Sequence, residues 1–319
     1  MATSSAQPND QSDASSRPKP NAWHSGELEM QRRAGIRDSP RLRAAIHTEI
    51  PQAARAFLSD QRLAVLATLD GDGRPWASAL DGPPGFLRTP DETTVEIAVG
   101  LRLDPLVISH LGDQIEVGLL VIEPVARRRM RLNGRAVLGV ENRLIIHTDE
   151  VYSNCPKFIQ RRVEAEDLPA PSQPGAPRRS SGLSAEQERW IEAADTFFLA
   201  TAHPEAGADA SHRGGEPGFV RVDGTRLSFP DYRGNFLFQS LGNILVTGRA
   251  GLLFLDFQRG RSLQLTGQAA VDDSTDGRSL FASAERVVHV ELEEVVERRG
   301  ALAHSWHSVE GGSAVKIAR

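Results

Sequence analysis

The chain has 319 residues, long enough for two domains that each bury a core of their own. Apolar residues make up 39% and charged residues 25%, a globular rather than disordered or membrane composition. No apolar run nears the ~20 residues of a membrane-spanning helix. A net charge of −5 argues against a generally basic nucleic-acid surface, and a single cysteine excludes an internal disulfide framework.

Residues 1–22 are rich in Ser, Pro, Asp, Asn and Gln, without the apolar core of a secretory signal, and read as a disordered tail. A soluble, cytoplasmic protein with no membrane partner is expected. From Trp23 to Phe57, apolar residues at helical spacing predict short helices, interrupted at Pro51. Leu63–Thr68 (LAVLAT) predicts a buried strand, and Asp70-Gly71-Asp72-Gly73 a hairpin turn. Further short strands are predicted at Trp76–Ala79, Thr94–Val99, Ile115–Ile122, Arg129–Val137 and Arg143–Thr148. That spacing suggests a barrel or sandwich. Residues 167–184 (from Asp167, through LPAPSQPGAPRRSSG) read as a linker. Ser184 and Gln187 form a capping box that starts a helix over Ala185–Ala194, and a second strand series begins at Thr196.

The second series repeats the first. Ala77, Ser78, Gly82, Pro84, Gly85 and Phe86 match Ala210, Ser211, Gly215, Pro217, Gly218 and Phe219, at the offset of 133 that separates Gly85 from Gly218. Leu66-Ala67-Thr68 matches Leu199-Ala200-Thr201 at that offset, Gly118-Leu119-Leu120 matches Gly251-Leu252-Leu253, and Gly134 matches Gly267. A period this long exceeds a solenoid repeat and indicates two copies of one domain, at residues 23–166 and 185–319.

The copies differ where chemistry would lie. His212-Arg213-Gly214 replaces Ala79-Leu80-Asp81, and Asp231-Tyr232-Arg233-Gly234-Asn235 replaces Ala98-Val99-Gly100-Leu101-Arg102. Arginine forks among glycines suit a phosphate. Gly234 and Asn235 precede a helix-like run, FLFQSL, whose N-terminus would add backbone donors, with Asn235 as its cap.

At these residues the chain resembles the pyridoxamine 5'-phosphate oxidase-like, FMN-binding split-barrel superfamily, in particular its flavin-nucleotide-binding branch. The resemblance rests on SHRGGEPGFVRV, FPDYRGN with SLGN, GLLFLDF and RSLQLTGQA in the second copy. In the first it rests on GRPWASALDGPPGF, RRRMRLNGRA and NCPKFIQRR. It implies a mainly β (α+β) fold of two tandem six-stranded antiparallel split β-barrels with short flanking helices, and FMN in a groove between barrels. Carried onto this sequence, the cofactor residues are Ser211, His212, Arg213, Gly214, Arg233, Gly234 and Asn235, with Trp76, Arg128 or Arg131 facing them from the first barrel. The resemblance also implies an oxidoreductase using a small-molecule substrate or electron donor; whether the donor is a nicotinamide or a deazaflavin stays open. True pyridoxamine phosphate oxidases lack the duplication, and their phosphate-strand pattern and C-terminal substrate residues are missing here.

Blander readings stand beside these. Trp76 also fits a core or interface aromatic, and Arg127–Arg131 an exposed strand face. Cys155, before Pro156 at an expected helix start with Asn154 as cap, is either a reactive thiol or an inert one. His304 and His307 lack a third ligand nearby in sequence, so no metal is expected. Two other functions remain open: storage of a flavin or haem without turnover, and a cofactor-free interaction module. Association of two chains into a homodimer is also open.

Overall fold

The computed structural model describes residues 23–309 apart from 37–39, 100–103, 111–113, 141–142, 167 and 169–172. The tail over residues 1–22, the start of the linker and the positions Gly100, Leu101 and Arg102 lie outside the described residues.

Helices α1 (Ser25–Arg33), α2 (Pro40–Arg43) and α3 (Gln52–Asp60) lead into strands β1 (Leu63–Leu69), β2 (Pro75–Asp81), β3 (Leu87–Arg88) and β4 (Thr94–Ala98). Helix α4 (Pro105–His110) precedes β5 (Ile115–Glu123), β6 (Arg128–Leu138) and β7 (Arg143–Ser153). Two short strands, β8 (Arg162–Glu164) and β9 (Arg178–Ser180), connect to helix α5 (Ala185–Ala193). The second copy then runs β10 (Thr196–His203), β11 (Gly207–Gly214), β12 (Arg221–Asp223), β13 (Arg226–Asp231), α6 (Gln239–Thr247), β14 (Arg249–Asp256), β15 (Arg261–Asp272), α7 (Thr275–Ser279), β16 (Arg286–Arg298) and β17 (Trp306–Ser308).

The two sheets have one topology. The first is ordered β2-β1-β5-β6-β7-β4-β3 and the second β11-β10-β14-β15-β16-β13-β12, with antiparallel pairing throughout. Six strands were expected in each. The seventh is a short edge strand, β3 or β12, formed where the loop after Gly85 or Gly218 returns the chain to the sheet edge. The second sheet also gains β9, because the long strand β16 offers Val295–Glu297 to Arg178–Ser180. Part of the predicted linker is therefore strand. The predicted capping box is present, with Ser184 Oγ accepting from Gln187 N at 3.3 Å and Ser184 N donating to Gln187 Oε1 at 2.9 Å.

Why β1 and β10 read as unbroken apolar runs is visible in their surroundings. One face of each strand lies in its own barrel, as with Leu66 and Leu199. The other meets the opposite barrel in a shared core containing Val65, Ala67, Phe198 and Ala200. A strand buried on both faces has no reason to alternate. The repeated Gly-Leu-Leu has a packing reason too. A Cβ on Gly118 would lie 2.6 Å from Asp209 Cα, and one on Gly251 would lie 2.2 Å from Pro75 O. Hence β5 crosses β11 closely, and β14 crosses β2 in the same way. Strands β8 and β17 pair with each other across this pseudo-two-fold relation. Among the described residues, no helix is long and apolar enough to cross a membrane.

Candidate functional site

Strand β11 presents its residues alternately to two sides. Asp209, Ser211 and Arg213 face α6 and the end of β13, whereas Ala210, His212 and Gly214 face the first barrel. A cavity of about 190 Å³ opens here. It is lined by Ser211–Gly214, by Asp231–Phe236 and Phe238–Leu241 of the second copy, and by Arg129, Arg131, Asn154, Cys155, Lys157 and Phe158 of the first. The structure thus brings Ser211, His212, Arg213, Gly214, Arg233, Gly234, Asn235 and Arg131 to one place.

Trp76 and Arg128 are not brought there. Trp76 is buried with Leu106 and Val296, and its Nε1 donates to Asp70 Oδ2 at 2.9 Å. Arg128 points out from β6, pairs with Glu123 at 2.6 Å and lies over the Phe57 ring. Strand parity explains the second correction, because Arg128 and Arg131 cannot share a face. Arg129 and Arg131 do.

The helix at the cavity begins later than the sequence suggested. Asn235 Oδ1 accepts from Leu237 N at 3.2 Å in a local turn, so neither Gly234 nor Asn235 is a helix-terminal donor. Helix α6 starts at Gln239, and its N-cap is Phe238, in left-handed conformation (φ +58°) with no side-chain cap bond. Its first backbone N–H groups have no intrahelical acceptor. Phe158 (φ +66°) and Phe236 (φ +63°) are also left-handed and line the same cavity. Such conformations cost roughly 1–3 kcal/mol each and persist only where surrounding contacts impose them. Those contacts are present. Phe158 stacks on Tyr232 at 5.0 Å, the Arg286 guanidinium lies 4.8 Å from the Phe238 ring centre, and Gln31 Nε2 of α1 donates to Phe236 O at 3.3 Å. Asn154–Gln160 forms turns rather than the predicted helix, so no helix dipole acts on the exposed Cys155 thiol.

Charge is distributed unevenly. Arg131 crosses from the first barrel, donating through Nη2 to Asp209 Oδ2 at 2.5 Å and through Nε to Ala210 O at 2.8 Å. Ser240 Oγ lies 2.8 Å from the same carboxylate and 3.0 Å from Ser211 Oγ. Asp231 accepts from Arg213 at 2.8 Å and from Arg286 at 3.0 Å. His212 is held well below its ordinary pKa by burial, then by Arg129, Arg162 and Arg213. It is therefore neutral. Its Nδ1 accepts from Arg129 Nη1 at 2.7 Å, which leaves the proton on Nε2. Four buried polar atoms of cavity residues have no hydrogen-bond partner: His212 Nε2, Arg213 Nε, Asn154 Oδ1 and Gln239 Oε1.

The pseudo-symmetric positions in the other half carry different side chains. At the 133-residue offset, Trp76 stands for Asp209, Gln264 for Arg131, Ser262 for Arg129 and Val107 for Ser240. Gln264 Nε2 donates to Ala77 O at 3.0 Å, as Arg131 Nε does to Ala210 O, but carries no charge. Asp81, at the position of Gly214, accepts from Ala303 N at 2.5 Å and His304 N at 3.1 Å, and its Oδ1 lies 2.8 Å from His304 Nδ1. The chain's own C-terminal segment fills that end.

The family model described as Pyridoxamine 5'-phosphate oxidase matches residues 50–143 and again residues 183–303, more than half of the chain. The chain belongs to this family. The matches span β1–β6 and β10–β16, while helix α1 lies outside either match. Among solved structures, HupZ of Group A Streptococcus is similar at 12% identity and a TM-score of 0.29, over 35% of this chain and 90% of its own. A FAD-binding protein of Mesorhizobium loti is similar at 14% identity and a TM-score of 0.29, over 39% and 97%. General Stress Protein 26 of Bacillus anthracis is similar at 10% and 0.28, over 39% and 97%. No curated protein matches the chain.

Sequence reasoning missed Arg129, Lys157, Phe158 and Ser240, which line the cavity, and Asp209, which pairs with Arg131 beside it. Two of these carried a readable signal: parity with Arg131 for Arg129, and the Trp76-to-Asp209 difference between copies.

Proposed function

We propose that this cavity binds one FMN by its phosphate and that the chain is a cytoplasmic flavin-dependent oxidoreductase acting on a small-molecule substrate or electron donor. The observation that carries the reading is convergence. An uncapped helix N-terminus, the Ser211 hydroxyl and the Arg213 and Arg233 guanidiniums meet at one cavity. The field and free N–H groups of a helix N-terminus favour an anion, and arginine forks match phosphate oxygens. The unpaired atoms fit as well. His212 Nε2 and Arg213 Nε are donors, Asn154 Oδ1 and Gln239 Oε1 acceptors, a mixture that suits ribityl hydroxyls and a flavin ring edge. Family membership supports the flavin class.

When bound, the flavin ring supplies the hydride or electron transfer. The chain's residues bind and orient it. Neutral His212 acts as a hydrogen-bond donor rather than a charge, and the stacked Phe158 and Tyr232 exclude water from one wall. Both barrels of a single chain supply the cavity, so a second chain is not needed to complete it.

Arg233→Ala is expected to weaken FMN modestly, and Arg213→Ala/Arg233→Ala by roughly 100-fold, about 3 kcal/mol, as read from quenching of flavin fluorescence. Asp231 keeps Arg286 in the double variant, so the fold should survive. Unchanged affinity in the pair would place the phosphate elsewhere. Anaerobic mixing with nicotinamide and deazaflavin donors separates turnover from storage, since a flavin that neither reduces is only being held.

A further inference from the structure

Gln239, the first residue of α6, stands between the cavity it lines and Glu150 of β7. Its Nε2 donates to Glu150 Oε2 at 3.0 Å, and the same oxygen accepts from Asn133 Nδ2 at 3.2 Å. With its amide nitrogen turned to Glu150, Gln239 leaves to the cavity an Oε1 that is buried without a partner. An acceptor at that place opposes a phosphate. The free backbone N–H groups of the same helical turn favour one.

The groups around Glu150 decide which way this amide points. Facing it are Glu27 on α1, Arg131 on β6, Asp149 and Tyr152 on β7 and Asp209 on β11. Arg131 is the cation of this set, and Asp209 takes it at 2.5 Å. Burial above all, then Asp209 and Asp149, pushes the half-buried Glu150 up to about 7, against Asn133 and Arg131. Its charge therefore changes near neutral pH. A proton on Oε2 would set a donor against the Gln239 Nε2 donor across 3.0 Å. Rotation of the terminal amide, a soft torsion, removes the clash. Asn133 is the less free to turn, because its Nδ2 also reaches Asp209 Oδ1 at 3.5 Å.

We propose that Glu150 is a positioning residue for the bound anion: protonated, it turns Gln239 so that Nε2 donates into the cavity, and ionised, it holds the amide oxygen there. The proposal rests on the FMN reading for the identity of that anion. Binding of the FMN phosphate then takes up protons near neutral pH, so its affinity falls as pH rises. The same cavity grips or releases the phosphate according to a carboxyl that does not touch it.

Calorimetric titration with FMN and with riboflavin from about pH 6.5 to about pH 8.5 tests this in wild type, Glu150→Gln, Glu27→Gln and Gln239→Met. A phosphate monoester loses its last proton near pH 6, and the tail of that step strengthens binding as pH rises, opposite in sign to the expected effect. In wild type the FMN Kd should rise at least fivefold across the range while that of riboflavin changes less than twofold. Glu150→Gln should flatten the FMN curve. Glu27→Gln should leave most of it, because Glu27 bonds to His24 N–H rather than to a cavity residue. Gln239→Met, which has no amide to turn, should weaken FMN at least threefold at pH 6.5 and show a smaller rise. A flat wild-type curve, an unchanged curve in Glu150→Gln, or riboflavin running parallel to FMN would overturn the proposal, the last because a loss common to both flavins reports the fold and not the phosphate. Failure of FMN to bind at every pH would sink the FMN reading by itself. Sulfate, whose charge is constant over this range, then serves as probe: the same Glu150-dependent loss would uphold the switch, and no sulfate binding would end it too.

Discussion

Replacing Arg131 by Met is expected to destabilise the folded chain by about 3–5 kcal/mol, the cost of leaving a buried charge without its partner. The charge is that of Asp209, which is 2% exposed. Its other contacts are neutral: Ser240 Oγ at 2.8 Å, Tyr152 OH at 3.3 Å and Asn133 Nδ2 at 3.5 Å. None of them compensates a carboxylate as a guanidinium does. The ion pair also joins the barrels, since Arg131 comes from β6 and Asp209 from β11. Arg131→Met/Asp209→Asn removes both charges and should recover most of the loss. Urea denaturation at pH 7 reads both values. A single variant within about 1 kcal/mol of wild type would mean that the pair lies in a wetter place than its burial indicates.

Glu27→Gln should change how stability depends on pH. Glu27, on α1, is pushed up to about 8, first by burial and then by Glu150 and Asp209, against the opposing effects of the His24 backbone N–H and Arg131. Glu150 is raised to about 7, again mainly by burial. For a carboxyl whose folded pKa exceeds its unfolded value, the stabilising contribution is complete below the unfolded value and is lost as pH rises through the folded one. The unfolded value is 4.5, so the wild type should lose stability between about pH 4.5 and 8. Glutamine keeps the oxygen that accepts His24 N–H at 2.9 Å but cannot ionise. The variant should therefore overtake the wild type by on the order of 2–4 kcal/mol near pH 8, and melting temperatures across that range should show a flatter curve. Parallel curves would show that the carboxyl titrates as if in water.

How much of this was legible depends on where each feature is specified. The buried strands and the duplication were, because LAVLAT and the matching run of the second copy lie between two cores and because Gly118 and Gly251 admit no Cβ. The short strands β3 and β12 were not, since two or three residues carry no period and their pairing depends on the loop that returns them. Strand β9 was hidden in a Pro- and Ser-rich stretch, because the long β16 supplies its hydrogen bonds. At the cavity, His212, Arg213 and Arg233 stand out in the sequence as departures of one copy from the other. Trp76, for which a core or interface place stood beside a place at the cofactor, takes the first: it is buried with Leu106 and Val296. Phe238 as a left-handed helix cap could not be read locally. Its backbone is imposed by Arg286 and by neighbours distant in sequence.

If the second copy alone holds a flavin phosphate, with Arg213 and Arg233 standing where the first copy has Leu80 and Gly100, a binding stoichiometry follows. Calorimetric titration with FMN and with riboflavin tests it most directly. One FMN per chain is expected, with riboflavin bound more weakly by roughly 100-fold, because only FMN carries the phosphate that Arg213, Arg233 and the start of α6 would hold. Two FMN per chain, or equal affinity for the two flavins, would contradict it.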